Sequence, residues 1–364
     1  MEFNDVRFQY EQLKAEIDGA VTQVLSSGWY ILGESLKKFE QEFARYCGTS
    51  FGVGVASGTD ALKIALAALD VGPGDEVLIP AVSAPATAMA VALRRAKPVF
   101  VDVLRDDFTM DPADAVRKLT VRTRALIPVH LYGMPAHLAE LAKLELPIIE
   151  DAAQAHGSDA PWGRCGSGGI AAAFSFYPTK NLGTYGDGGM LVTSNPEFAQ
   201  RASMLRNYGQ RTNYVSEIPG ENSRLDEMHA AILSVKLKRL DAWNQRRRDI
   251  AAAYRNGLSH LPVGLQTESG NCNYHLFVIT SPQRDALQQH LRLQGIPSLV
   301  HYPVPLSCQP AFAEWEPAEC PVADRLCNEV LSLPIHASLK DSEVQTVIRT
   351  LRDFFGATSL ERYE

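Results

Sequence analysis

Residues 51–69 read FGVGVASGTDALKIALAAL. The first five, Phe51 to Val55, form a glycine-rich apolar run suited to a strand. From Asp60 onward, apolar residues at 61, 62, 65, 66 and 69 have the spacing of one buried helix face. Between them, Ser57-Gly58-Thr59 brings unpaired backbone N–H groups and the positive end of a helix dipole to one place. Such a junction is a seat for a phosphate. An ordinary helix cap at Ser57 or Thr59 accounts for the same residues, and the spacing of Gly52, Gly54 and Gly58 does not match the dinucleotide fingerprint GxGxxG.

The alternation continues on the C-terminal side. Short apolar runs at 77–79, 99–101, 126–129, 148–149, 173–176 and 190–192 are separated by helical patterns. This is the pattern of βαβ units and a mostly parallel sheet. A helix pattern then runs from Leu225 to about Tyr254, followed by an extended run at 275–279 and helices near 283–294 and 342–355. These features predict two domains: residues 1–245 as an N-terminal arm and a large domain, and residues 246–364 as a smaller C-terminal one.

Composition narrows the function. Thirty-five basic and 42 acidic residues give a net charge of −7, and the only basic cluster, Arg246-Arg247-Arg248, has no aromatic platform beside it, so no nucleic-acid partner is expected. The six cysteines contain no CxxC and the nine histidines no HExxH, so neither a disulfide framework nor a metal site is expected. No apolar run reaches the ~18 residues of a membrane span, and the N-terminus does not read as a signal peptide. A soluble, cytoplasmic protein is the expectation.

Two further stretches carry chemistry. In Pro147-Ile148-Ile149-Glu150-Asp151-Ala152, two acids follow an apolar strand, and in open α/β sheets ligands bind at the C-terminal ends of strands. Asp151 there either caps the segment beginning at Ala152 or pairs with a protonated nitrogen of a ligand. In Phe174-Ser175-Phe176-Tyr177-Pro178-Thr179-Lys180, a strand ends in a hydroxyl, turns at a proline and presents a lysine next to a glycine-dense stretch. Partial burial would lower that amine's pKa and make it nucleophilic toward a carbonyl; a solvated surface lysine is the alternative.

Together with SGTDAL (57–62), the segments PVHLYG (128–133), EDAAQAHG (150–157), FSFYPTKNLG (174–183) and GDGGMLVT (186–193) resemble, in order, the DegT/StrS family of sugar aminotransferases. The resemblance implies an aspartate-aminotransferase-like α/β fold (fold type I). Its large domain would hold a mostly parallel, mixed sheet of the seven-stranded type, with a smaller α+β domain C-terminal to it. It also implies pyridoxal 5'-phosphate as cofactor and a homodimer with shared active sites. Carried onto this chain, Lys180 would hold the cofactor aldehyde as a Schiff base and move the proton, Asp151 would pair with the ring nitrogen, and Gln154 would lie near the ring hydroxyl. Gly58, Thr59 and Ser175 would hold the phosphate, joined by Asn222 from the other subunit.

The implied reaction moves an amino group from an amino acid, L-glutamate, to a ketone of a nucleotide-linked sugar, with C3 favoured over C4. Tyr185, His301, Tyr302 and His336 are candidates for the sugar side. His130 and His156, also in the motifs, read equally as packing residues. One position departs from the family: Ala84 stands where an aromatic ring usually stacks on the cofactor. A keto-cyclitol aminotransferase and a non-catalytic sensor on the same fold are the competing readings.

Overall fold

Seven strands join into one sheet in the computed structural model, which describes residues 1–212, 214–268, 270–315 and 319–360, with side chains to residue 356. They are β1 (Phe51–Val55), β2 (Glu76–Pro80), β3 (Lys97–Val101), β4 (Thr123–Leu126), β5 (Ile149–Asp151), β6 (Ala171–Ser175) and β7 (Gly189–Thr193). Their spatial order is β1-β7-β6-β5-β4-β2-β3. The parallel bridges Leu126–Ile148 and Val129–Asp151 join β4 to β5 and so connect a three-stranded piece to a four-stranded one. Only β7 runs against its neighbours. The sheet is thus mostly parallel and mixed, the expected α/β architecture.

Strands β2 and β7 are buried along their whole length, because helices cover both faces of such a sheet. Helix α1 (Phe8–Ser27) leads into α2 (Glu34–Cys47), which buries Leu36, Phe39 and Phe43 along one stripe. Helix α3 (Gly58–Ala68) is not half-exposed, as its spacing suggests. Ile64, Ala67 and Ala68 are buried along with Ala61, Leu62, Ala65 and Leu66, since α3 is enclosed by β6, β7, α4 (Pro85–Leu93) and α5 (Pro196–Leu205).

The helix expected over 225–254 is two helices, α6 (Glu227–Leu237) and α7 (Leu240–Leu258). The break lets α6 pack on α1 and α2 while α7 reaches α10 (Asp341–Leu360). No proline or glycine marks it, so periodicity runs through it. The boundary expected at residue 245 falls inside α7. Beyond it, α8 (Arg284–Leu293), α9 (Pro321–Glu329) and α10 accompany an antiparallel sheet of β8 (Gly264–Leu265), β9 (Phe277–Thr280) and β10 (Val330–Leu333). Tyr254, Phe277, Leu331 and Val347 belong to a separate apolar cluster in this part. Among the described residues, no helix is long and apolar enough to cross a membrane.

Because β1, β5 and β6 all point the same way, the N-terminus of α3, Asp151 at the end of β5 and Ser175 at the end of β6 meet on one edge of the sheet. That edge is where an open α/β sheet binds its ligand.

Candidate active site

A cavity of about 260 Å³ opens at this edge, lined by Ser57, Gly58, Thr59, Ala84, Asp151, Gln154, Ser175 and Lys180 among others. A larger cleft of about 920 Å³ lies between α1, the 27–38 segment and α6. Chemistry favours the smaller space, because among the described residues a buried carboxyl and a desolvated amine face the same void there.

The phosphate seat is built locally. Ser57 caps α3 by accepting the Asp60 N–H (3.1 Å), and the Ala61 N–H bonds the Ser57 carbonyl. The N–H groups of Gly58 and Thr59 are left to face the cavity. Glycine is required at 58 because a β-carbon there would stand 2.8 Å from the Ser175 β-carbon. Gly189 on β7 has the Ser57 backbone where its own side chain would be. Ser57 is thus the cap, while Thr59 and Ser175 present hydroxyls to the cavity.

Asp151 is 5% exposed. Burial pushes its carboxyl above the ordinary range, opposed by the Thr87 hydroxyl, which donates to it at 2.7 Å, the Ala153 N–H at 3.2 Å, and the nearby Lys180 amine. Its sequence neighbour points the other way, as strand alternation demands. Glu150 accepts N–H bonds from Gly166, Gly168 and Gly169 at 2.7–2.8 Å and pairs with the His130 ring at 2.8 Å. The His130 Nδ1 accepts from the Ala136 N–H (3.0 Å), so its Nε2 carries the proton and donates to Glu150. His130 is therefore fully buried behind the site.

Lys180 sits on a turn closed by its own N–H bonding the Tyr177 carbonyl (2.9 Å). Among the described residues its Nζ makes no hydrogen bond or ion pair. Burial holds the amine down to about 8, with Asp151 pulling the other way. Gln154 accepts the Tyr132 N–H (2.6 Å) and donates to the Tyr302 hydroxyl (3.0 Å), whose acidity burial weakens, to about 12.

The structure thus brings Gly58, Thr59, Asp151, Gln154, Ser175 and Lys180 together, with Tyr302 and His301 one layer away. The His301 ring bonds the Ser332 hydroxyl (2.9 Å), and burial lowers it to about 4. His336 is engaged by Ser338 (2.8 Å) and the Glu2 carbonyl (3.3 Å). Tyr185 packs edge-on against Tyr10. Neither His336 nor Tyr185 lines the cavity, nor does the exposed Asn222. His156 is buried among Phe43, Phe174 and Phe176, and burial lowers it to about 3.

Thr87 and Lys236 are not singled out by sequence reasoning. Lys236 is 1% exposed, donates to the Gly183 carbonyl and stands 4.7 Å over the Tyr185 ring. Burial holds it at about 7. Between pH 7 and 10.5 the unfolded chain therefore carries a proton at this position that the folded chain lacks, and stability rises with pH across that window. Lys236→Met should remove this rise, lowering the slope of unfolding free energy against pH by up to about 1.4 kcal/mol per pH unit. Urea titrations of both proteins between pH 7 and 10 check it; parallel slopes would refute the assignment.

The sequence model described as the DegT/DnrJ/EryC1/StrS aminotransferase family matches residues 11–352. A relative from Streptomyces venezuelae named dTDP-3-amino-3,4,6-trideoxy-alpha-D-glucose transaminase is 48% identical over 361 residues, 97% of this chain and 95% of its own. The crystal structure of S. venezuelae DesV in complex with a ketimine intermediate superposes with a TM-score of 0.95 at 48% identity, covering 97% of this chain and 98% of its own. That of NtdA from Bacillus subtilis, with bound cofactor PMP, superposes at 0.92 and 28% identity, covering 98% and 85%.

Proposed function

The chain belongs to the DegT/DnrJ/EryC1/StrS aminotransferase family, and we propose that it uses pyridoxal 5'-phosphate to aminate the C3 ketone of a nucleotide-linked deoxysugar, with L-glutamate as donor. The observation that carries this reading is the pairing of a buried carboxyl and a half-buried, desolvated amine in one cavity without an ion pair between them. Two such groups suit a ligand that brings a cationic ring nitrogen to one and an aldehyde to the other.

The residues present fit that cofactor. The free N–H groups of Gly58 and Thr59, with the Thr59 and Ser175 hydroxyls, suit its phosphate. Asp151 suits the ring nitrogen, since a cation beside it would offset the cost of its burial. Gln154 would serve the ring hydroxyl and Lys180 the aldehyde. When bound, the cofactor supplies an electron sink for negative charge at the donor carbon.

Lys180 then holds and returns the proton at its Nζ, and an amine held near 8 does both at neutral pH. Thr87 holds the Asp151 carboxyl in place, and Tyr302 and Tyr132 hold Gln154. Ala84 supplies only a methyl group to the cavity wall, leaving room beside the ring.

C3 is favoured over C4 by the name of the S. venezuelae relative. A homodimer completes the proposal, with Asn222 serving the partner's phosphate seat. The exposed Leu25, Trp29, Tyr30 and Ile31 beside the large cleft supply an apolar surface for it. We place the enzyme in the cytoplasm. Intact Lys180 and Asp151 argue against a sensor.

The test is to load the protein with pyridoxamine phosphate and offer dTDP-linked 3-keto and 4-keto deoxysugars and a free keto-cyclitol, with products read by mass spectrometry. A 3-amino sugar nucleotide is the expected product. Turnover of the 4-keto sugar or the cyclitol alone would overturn the proposed substrate.

A further inference from the structure

Among the described residues no group bonds the Lys180 Nζ, so the backbone of its turn, which fixes where the side chain starts, carries much of the placing of this amine. The carbonyls of the two residues on either side of the lysine are each held by a side-chain amide from residues 4 and 9. The Asn4 Nδ2 donates to the Thr179 carbonyl at 3.0 Å, and the Gln9 Nε2 donates to the Asn181 carbonyl at 3.3 Å. Neither carbonyl accepts another hydrogen bond among the described residues.

The same short segment is anchored at its far side to the C-terminal part of the chain. The Asp5 carboxylate accepts from the Ser338 hydroxyl (2.9 Å) and from the N–H groups of Arg7 and Phe8 (3.1 Å each). The Glu2 carbonyl lies 3.3 Å from the His336 Nε2, and the Phe3 ring packs on the His301 ring at 5.9 Å. On the inner side of the turn, the Asn181 Nδ2 donates to the Asn244 Oδ1 (2.9 Å) and the Asn273 carbonyl (3.2 Å). The lysine turn is therefore held from inside by buried amides and from outside by the N-terminal segment.

We propose that residues 2–9 form a clasp that aims the Lys180 amine into the cavity, with Asn4 and Gln9 as positioning residues and Asp5 as the anchor that ties the clasp to the C-terminal part. The inference rests on Lys180 being the reacting lysine. The clasp's effect arises because a shift of the turn by ~1 Å moves the root of the Lys180 side chain and with it the amine, a misplacement that costs on the order of 10²-fold in rate. It also explains two assignments. His336 and His301, candidates for the sugar side, are contacts of the clasp in this structure.

The experiment uses the full-length chain carrying Asn4→Ala with Gln9→Ala, and separately Gln9→Met, which keeps side-chain length but loses the donor. In the cofactor-free proteins, Lys180 is methylated with formaldehyde and cyanoborohydride across pH 6–10 and quantified by peptide mass spectrometry against exposed Lys143. Loss of the clasp should raise the pH midpoint for Lys180 by about one unit, toward the ordinary lysine value, because the amine gains solvent. In the loaded enzymes, kcat should fall on the order of 10-fold or more with KM for the sugar changed less than about twofold.

Circular dichroism establishes that the variants are folded, and Gln9→Met decides the matter if the double variant is not. An unchanged labelling midpoint in a folded variant would overturn the clasp. Labelling that shifts while kcat stays constant would retain the clasp and count instead against Lys180 as the reacting lysine.

Discussion

Lys180→Ala should reduce amino transfer by on the order of 10⁴-fold, the upper end of what a positioned acid–base group contributes. The expectation follows from the site rather than from the residue type. Among the described residues the amine makes no hydrogen bond or ion pair; it lies in the cavity with Asp151 and is held by burial at about 8, so at neutral pH about a tenth of it is unprotonated, far more than for an ordinary lysine, and it can both give and take a proton. Lys180→Arg should fail equally, because a guanidinium stays charged at every working pH. The half-reaction with L-glutamate, followed by single-turnover kinetics on protein saturated with cofactor, separates the loss of the proton-transfer step from loss of binding. A variant that retained more than about a tenth of the wild-type rate would show that another group moves the proton, and the assignment of Lys180 would fall with it.

Asp151→Asn should be the next most damaging change, lowering kcat on the order of 10²–10³-fold, the range found when one preorganised electrostatic partner is removed. The substitution is close to isosteric and leaves the Thr87 hydroxyl an oxygen to donate to, so the cavity wall should persist. What disappears is the charge. A cation held against it becomes costly, and the ring nitrogen loses the partner that keeps it protonated. A second consequence can be read without any cofactor. The Asp151 charge raises the Lys180 pKa against the larger effect of burial. Its removal should therefore move the Lys180 labelling midpoint below about 8, the opposite direction from loss of the clasp. An unmoved midpoint in Asp151→Asn would mean that the two groups do not share one electrostatic environment.

Much of this site was legible in the sequence because it is assembled from short segments whose own pattern states their geometry. The Ser57-Gly58-Thr59 junction reads as a strand-to-helix turn, and it is one. Asp151 and Ser175 each close an apolar strand, and once the strands are parallel their ends must share an edge. The open choices were decided by atoms. Ser57 took the capping role, which freed Thr59 for the cavity. Glu150 and Asp151 parted to opposite sides of their strand, one into a cage of glycine N–H groups and one into the site.

Other features had no local signal. Thr87 reaches Asp151 across 64 positions because β2, which precedes α4, lies in the sheet beside β4, which borders β5. Strand order of this kind is not written in periodicity. Lys236 falls in a helix pattern where a lysine is ordinarily solvated, and it is buried only because the 180–186 turn covers it. The break between α6 and α7 carries no proline or glycine, and it separates the helix that packs on α1 and α2 from the one that packs on α10.

By itself, then, the sequence determined the βαβ alternation, the phosphate seat at Gly58 and Thr59, and the acid and amine at Asp151 and Lys180, because each depends on neighbours within a few residues. Only the tertiary structure decided which groups hold those residues in place. The N-terminal segment across the Lys180 turn, Thr87 on Asp151 and Tyr302 on Gln154 are contacts between segments far apart in the chain. Such contacts exist only after the sheet order has been chosen by burial of the whole core, and no local pattern of residues specifies that choice.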